Sequence, residues 1–207
     1  MKFDLRLYAV TDRAWTGHHT LLEQIEEALA AGVTLVQLRE KNMTDEEFLA
    51  EAEAVRRLTD RYGVPLIIND NVEVAVKCRA AGVHVGQEDL EAGKVRQILG
   101  PDKIIGVTAK TVEQALRAQA AGADYLGSGA VFGSTTKANA KPMELATLRA
   151  ITRAVSIPVA AIGGIDRSNI EKLEGTGIAG VAVVSGIFGQ DNITEAVKVL
   201  REKAERL

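Results

Sequence analysis

Ala80-Ala81-Gly82-Val83-His84-Val85-Gly86 joins a small-residue helix end and a glycine to a short β-branched run that a second glycine closes. The junction recurs: Ala-Ala-Gly ends at Gly32 before a run at 33–38, and at Gly122 before a run at 124–127. Glycine suits the position after a helix because it takes the left-handed conformation without a Cβ penalty, so all three are expected to close helices. Working outward, short apolar runs, most of them β-branched, stand near 5–11, 33–38, 65–69, 82–86, 103–108, 124–127, 158–163 and 180–184. Between them apolar residues keep helical spacing, as in Leu21/Leu22, Ile25, Leu29; in Phe48, Ala52, Val55; and in Ile193, Val197, Leu200, Ala204.

This alternation predicts an α/β fold: a single-domain (β/α)8 TIM barrel over residues 1–207, with a crossover helix available to each gap. A repeat of roughly 25 residues places it near the lower size limit of such barrels. An open doubly wound sheet is disfavoured, because Ala9-Val10-Thr11-Asp12-Arg13, not a GxGxxG turn, follows the first run. With 46% hydrophobic and 26% charged residues the composition is that of a globular chain, and Cys78, the only cysteine, excludes an internal disulfide. With no leader pattern at its start, the chain is expected in the cytoplasm. No run approaches the ~20 apolar residues of a membrane span. A net charge of −3 and 4% aromatics speak against nucleic-acid or membrane partners, so any bound anion must be held locally. A homo-oligomer is compatible with the sequence.

In a barrel, chemistry gathers at the C-terminal ends of the strands. After the second run come Gln37-Leu38-Arg39-Glu40-Lys41. Strand alternation puts Gln37, Arg39 and Lys41 on one face and Leu38 on the other. An amide, a guanidinium and an ammonium together suit a diphosphate; a solvated loop is the plainer alternative for such a charge run. The third run ends in Asn69-Asp70 and the fourth is followed by Gln87-Glu88-Asp89. Two carboxylates without sulfur or histidine partners suit a hard cation such as Mg2+, although Asp70 alone could cap the next helix. Ile162-Gly163-Gly164-Ile165 and Val184-Ser185-Gly186, after the seventh and eighth runs, fit backbone binding of a phosphate; tight turns are the alternative. The segment from Gly127 to Lys137, with Ser134, Thr135, Thr136 and Lys137 at its end, reads as a mobile loop able to close over phosphates. The site so drawn holds two anions, one above strands 2–4 and one above strands 7–8.

Tyr8-Ala9-Val10-Thr11-Asp12, QLREK at 37–41, IIND at 67–70, GVHVGQED at 82–89, GADYLGSGAVF at 122–132, STTK at 134–137, AIGGI at 161–165 and VAVVSGI at 181–187 together resemble the thiamine-phosphate synthase family over nearly the whole chain. The resemblance implies a transferase of thiamine biosynthesis that joins a hydroxymethylpyrimidine diphosphate to a thiazole phosphate, or its carboxylated form, and releases pyrophosphate. It implies that Gln37, Arg39 and Lys41, within the segment that also carries Leu38 and Glu40, bind the pyrimidine diphosphate beside Asn69. It implies Mg2+ on Asp70 and Asp89, and further contacts with that substrate from Thr108 and Lys137. Ser134, Thr135, Thr136, Gly164, Val184 and Ser185 would hold the thiazole phosphate. The implied mechanism is dissociative, with Arg39, Lys41, Thr108 and Lys137 as the catalytic side chains and no general base needed for bond formation. Thr108 and Lys110 stand where the family often carries serine and histidine, and Gly133-Ser134 where proline-threonine is common.

His84, mid-strand, reads as a packed, hydrogen-bonded ring, His18 and His19 as an exposed loop pair, and Cys78 as a small packing residue. Two rival functions remain: a thiazole tautomerase of the same superfamily, which would use only the Gly164 and Ser185 regions, and a non-catalytic phosphate-binding barrel.

Overall fold

The structure is a computed structural model that describes residues 3–17, 19–87, 89–133 and 142–207. Eight parallel strands close into a barrel in sequence order: β1 Leu7–Val10, β2 Leu35–Leu38, β3 Leu66–Asn69, β4 Gly82–Val85, β5 Ile104–Thr108, β6 Tyr125–Gly129, β7 Val159–Ile162 and β8 Gly180–Val183, with β8 returning to pair with β1. All eight lie where the short apolar runs place them. Helices α1 Leu21–Ala31, α2 Asp45–Tyr62, α3 Val72–Lys77, α4 Ala92–Leu99, α5 Val112–Ala120 and α6 Leu145–Ala154 follow the first six strands in turn, and α7 Ser185–Phe188 and α8 Ile193–Ala204 follow the last. Thr20 and Thr44 start α1 and α2 with reciprocal capping boxes to Glu23 and Glu47, the pairing that satisfies two orphan N–H groups at once.

Strand alternation divides the core in two. Leu7, Val36, Leu38, Ile68, Val83, Ile105, Leu126, Ala161 and Val181 point outward into the layer shared with the helices. Tyr8, Val10, Leu35, Ile67, Ile104, Tyr125, Ala160 and Ala182 point inward and form a separate interior cluster. A one-residue shift in any strand would exchange the two sets, so this pattern fixes the register.

Three expectations are corrected. Gly32 and Gly122 take left-handed φ of 114° and 90° behind helices, but Gly82 lies inside β4. Helix α3 ends earlier, with Arg79 taking the positive φ of 57°. Gly82 serves close strand approach instead: a Cβ there would stand 2.0 Å from the Ile104 carbonyl oxygen. The gap between β7 and β8 holds only a 3-10 turn, Ile170–Leu173, because Gly175 and Gly177 follow at once in a segment of poor helix propensity. The third correction concerns 127–133. Gly127, Ser128 and Gly129 belong to β6, and Val131 and Phe132 continue the pairing by donating to the carbonyls of Ile162 and Gly163 at 2.9 and 3.0 Å.

Among the described residues no helix is long and apolar enough to cross a membrane.

Candidate functional site

The strand ends converge on a cavity at the C-terminal mouth of the barrel, lined on one side by Gln37, Arg39, Asn69, His84, Thr108 and Lys110 and on the other by Gly163, Gly164, Val184 and Ser185. Val10, Ala160, Ile162 and Ala182 supply an apolar wall between them. The positions singled out on β2, β3, β5, β7 and β8 are therefore neighbours in space.

The end of β2 is held by backbone and charge. Thr11 Oγ1 accepts from the Arg39 N–H at 3.0 Å, the Thr11 N–H donates to the Gln37 carbonyl at 3.0 Å, and the Arg39 guanidinium stands 3.7 Å from Asp12. Leu38 is fully buried in the helix layer, so its side chain faces away from the cavity. Glu40 also turns away: its side chain is 4% exposed and accepts from Arg13 Nε at 2.9 Å, while Arg13 pairs with Glu51 as well. Burial pushes the Glu40 carboxyl up to about 7, with Glu51 adding to the shift and the Arg13 guanidinium opposing it.

Lys41 reaches β3 instead of the cavity wall, its ammonium 2.6 Å from Asp70. Asp70 has a φ of 61° and donates its N–H to the His84 carbonyl at 2.8 Å; its carboxylate also accepts from Asn69 Nδ2 at 2.6 Å. The Asp89 carboxyl, anchored by the Gly86 N–H at 2.6 Å, comes within hydrogen-bonding reach of Asp70. Burial works against ionisation of Asp70, but the hydrogen bonds from Lys41, Asp89 and Asn69 outweigh it and hold that carboxyl below its usual range. Burial first, and then the neighbouring Asp70, push Asp89 up. Two carboxyls this close repel each other when both are ionised, a repulsion that a hard divalent cation would relieve, so the donor set fits Mg2+ completed by ligand oxygens and water. Among the described residues there is no cluster of three or more His, Cys, Asp or Glu that could hold a metal ion.

Across the mouth, Gly163 and Gly164 have φ of 105° and 63°. A Cβ on Gly164 would lie 2.6 Å from the Phe132 carbonyl oxygen, so backbone packing as well as φ demands glycine. Asn169 braces the turn, donating to the Gly164 carbonyl at 2.8 Å and accepting from the Asp166 N–H at 3.0 Å. Ser185 opens α7 directly behind β8. Ser134, Thr135, Thr136 and Lys137 lie outside the described residues, as do His18 and Glu88.

Sequence reasoning passed over the floor of the cavity. Tyr8 and Tyr125 are buried phenols whose hydroxyls lie 2.7 Å apart, and burial pushes both well above the usual tyrosine range. Gln37 Nε2 donates to the Tyr8 hydroxyl at 2.5 Å. His84 places Nδ1 3.0 Å from the Tyr125 hydroxyl and Nε2 3.0 Å from Thr108 Oγ1, so the packed, bonded ring also reaches the cavity. The signal available was Tyr8 and Tyr125 at inward positions of short strands, where a phenol must find a polar partner. Cys78 is buried, as a packing residue would be.

The chain matches the family model of thiamine monophosphate synthase over residues 7–187. It is 50% identical to the thiamine-phosphate synthase of Ruminiclostridium cellulolyticum, covering 97% of this chain and 96% of that protein. The thiamine-phosphate synthase of Clostridium tetani is 48% identical, with 95% and 94% covered. Among solved structures, the thiamine phosphate pyrophosphorylase from Pyrococcus furiosus superposes with a TM-score of 0.90 at 37% identity, over 97% of this chain and 96% of that one. A 3-hexulose-6-phosphate synthase, at a TM-score of 0.69 and 16% identity, shares the fold.

Proposed function

We propose, for a chain that belongs to the thiamine monophosphate synthase family, that it is a transferase joining hydroxymethylpyrimidine diphosphate to a thiazole phosphate, with release of pyrophosphate. The observation that carries this reading is that one cavity joins the cationic and amide side chains of β2, β3 and β5 to the glycine turn of β7 and the serine of β8. A diphosphate at one end and a monophosphate at the other would bring the two organic groups together over the apolar wall.

In this reading Arg39 and Lys41, with Lys137, bind the diphosphate and take up negative charge as the bond to the pyrimidine methylene breaks. Asp70 and Asp89 would hold Mg2+, which supplies further neutralisation of the departing pyrophosphate. Gln37, Asn69 and Thr108 orient the pyrimidine. Gly164, Val184 and Ser185, with Ser134, Thr135 and Thr136, hold the thiazole phosphate so that the ring nitrogen faces the methylene carbon. Bond formation then needs orientation and a dry wall more than a base, because the thiazole nitrogen attacks as a neutral nucleophile on a cationic carbon. Val10, Ala160, Ile162 and Ala182 provide that wall. Thiazole tautomerisation would leave the carboxylate pair on β3 and β4 without a task.

The test is pyrophosphate release by the purified protein with both substrates, with Mg2+ and with chelator. Release that requires both substrates and the metal supports the reading; no release under any of these conditions would overturn it.

A further inference from the structure

Beneath the cavity a row of hydrogen bonds crosses the barrel from β2 to β5 through five inward side chains: Gln37, Tyr8, Tyr125, His84 and Thr108. Its two ends, Gln37 and Thr108, line the cavity, whereas Tyr125 is fully buried below it. The barrel is shaped to let the row form. A Cβ on Gly106 would stand 2.1 Å from Tyr125 Cζ and 2.5 Å from His84 Nδ1, and a Cβ on Gly127 would stand 3.0 Å from His84 Cε1. Glycine at 106 therefore clears the gap that the phenol and the imidazole meet across.

Counting hydrogens gives the row a direction. Gln37 Nε2 can only donate, so the Tyr8 oxygen accepts from it and the single Tyr8 hydrogen goes on to Tyr125. With the Gln37 amide oriented in this way, Tyr125, having accepted, passes its own hydrogen to His84 Nδ1; sending it back to Tyr8 would strand the Tyr8 hydrogen without an acceptor. His84 then carries its hydrogen on Nε2 and gives it to Thr108 Oγ1. The Thr108 hydrogen is left for the cavity, and the carbonyl end of Gln37 is the end not turned toward Tyr8.

We propose that Tyr8, Tyr125 and His84 form a one-way hydrogen-bond chain that fixes Gln37 as an acceptor and Thr108 as a donor, making Tyr125 a positioning residue for the substrate bound over β2–β5. Reversing the chain would turn the Gln37 amide over, offer two donors there and leave Thr108 only its lone pairs. A ligand that presents an amino hydrogen to Gln37 and a lone pair to Thr108 matches the first direction and mismatches both ends of the second. This deepens the proposed function and, for its kinetic part, rests on it.

The first test needs no substrate. With 15N-labelled histidine in the full chain, long-range proton–nitrogen correlation distinguishes the His84 tautomers; a hydrogen on Nε2 with a bare Nδ1 supports the chain, and a hydrogen on Nδ1 overturns it. The second is Tyr125→Phe, which deletes the central hydroxyl and keeps the ring. KM for the pyrimidine diphosphate is expected to rise ~10-fold, the scale of one lost hydrogen bond, with KM for the thiazole phosphate unchanged. Equal changes in both constants, or in neither, would overturn the positioning role. Should the wild-type protein release no pyrophosphate, the reading of the reaction fails while the tautomer measurement still decides the chain.

Discussion

Replacing Glu40 with glutamine tests whether this residue of the β2 segment is a strut or a ligand. Its side chain is 4% exposed, one oxygen is engaged by Arg13, and the other is buried with no hydrogen-bond partner among the described residues. Burial moves the carboxyl from 4.5 to about 7. At 1.36 kcal/mol per pKa unit this gap amounts to about 3 kcal/mol. The sign follows from which state ionises first. Below the unfolded value the group is protonated in both states, and its contribution to stability is fully present. As pH rises toward the folded value of about 7, the unfolded chain loses its proton first, and that contribution is lost. Glu40→Gln stays neutral at every pH and keeps the shape, and Arg13 retains Glu51. Urea unfolding of both proteins from pH 4 to pH 8 should therefore show the variant gaining about 3 kcal/mol on the wild type across that window. The same variant should keep KM for the pyrimidine diphosphate within a factor of about 2, since a strut makes no substrate hydrogen bond to lose. Parallel stability curves would refute the burial argument, and a KM raised ~10-fold would show Glu40 to be a ligand.

Asp70→Asn keeps the hydrogen bond to Asn69 within reach but removes the charge shared with Lys41 and Asp89; metal-dependent turnover should fall by ~100-fold, read as pyrophosphate release against Mg2+ concentration. Gly164→Ala forces a Cβ onto a φ of 63° and to 2.6 Å from the Phe132 carbonyl; a loss of ~1–3 kcal/mol in unfolding free energy and a raised KM for the thiazole phosphate alone are expected. Arg96→Met strips a guanidinium that serves the Gly100, Lys103 and Gly122 carbonyls and the Asp124 carboxylate far from the mouth; stability should drop by ~2 kcal/mol or more with kcat unchanged. Ala160→Leu fills the apolar wall, so the melting temperature should hold or rise while affinity for the substrates falls, as calorimetry and KM would record.

Most strands were legible because they carry their own signal, β-branched residues in runs bounded by glycine or polar residues, with inward and outward faces that differ in kind; β6, Tyr125–Gly129, has no β-branched residue and stood out only as a short apolar run behind Gly122. Leu38 and Gln37 show the rule at one residue's resolution, one in the helix layer and the other in the cavity. What periodicity could not carry was any distinction among glycines. Gly32 and Gly82 follow the same Ala-Ala pair, yet one caps a helix and the other lets strands approach, because the second reason depends on a neighbour in space, Ile104. The side chains of Glu40 and Lys41 were hidden for a similar reason. Their partners, Arg13 and Asp70, are distant in sequence, and alternation assigns a face without saying which charge waits on it.

The row from Gln37 to Thr108 extends this argument from single residues to the purpose of the barrel interior. Inward positions toward the N-terminal end are filled by Leu5, Leu35, Ile67, Ile104 and Tyr125, as a packed core requires. Toward the mouth the inward positions of β6, β7 and β8 are mostly small, Gly127, Gly129, Ala160 and Ala182, with Ile162 the large side chain among them. Burial of apolar surface would favour larger side chains there, about 25 cal/mol for each Å2 removed from water, so the empty layer costs stability that the helix layer must supply. A barrel ordinarily fills such layers with its own residues. Here the missing layer is bounded by Gln37 and Thr108 on one side and by the glycine turn and Ser185 on the other, which makes a bound ligand the last layer of the core. On that argument ligand binding and folding are linked, and the residues that fix donor and acceptor at the edge of the empty layer decide what may complete it.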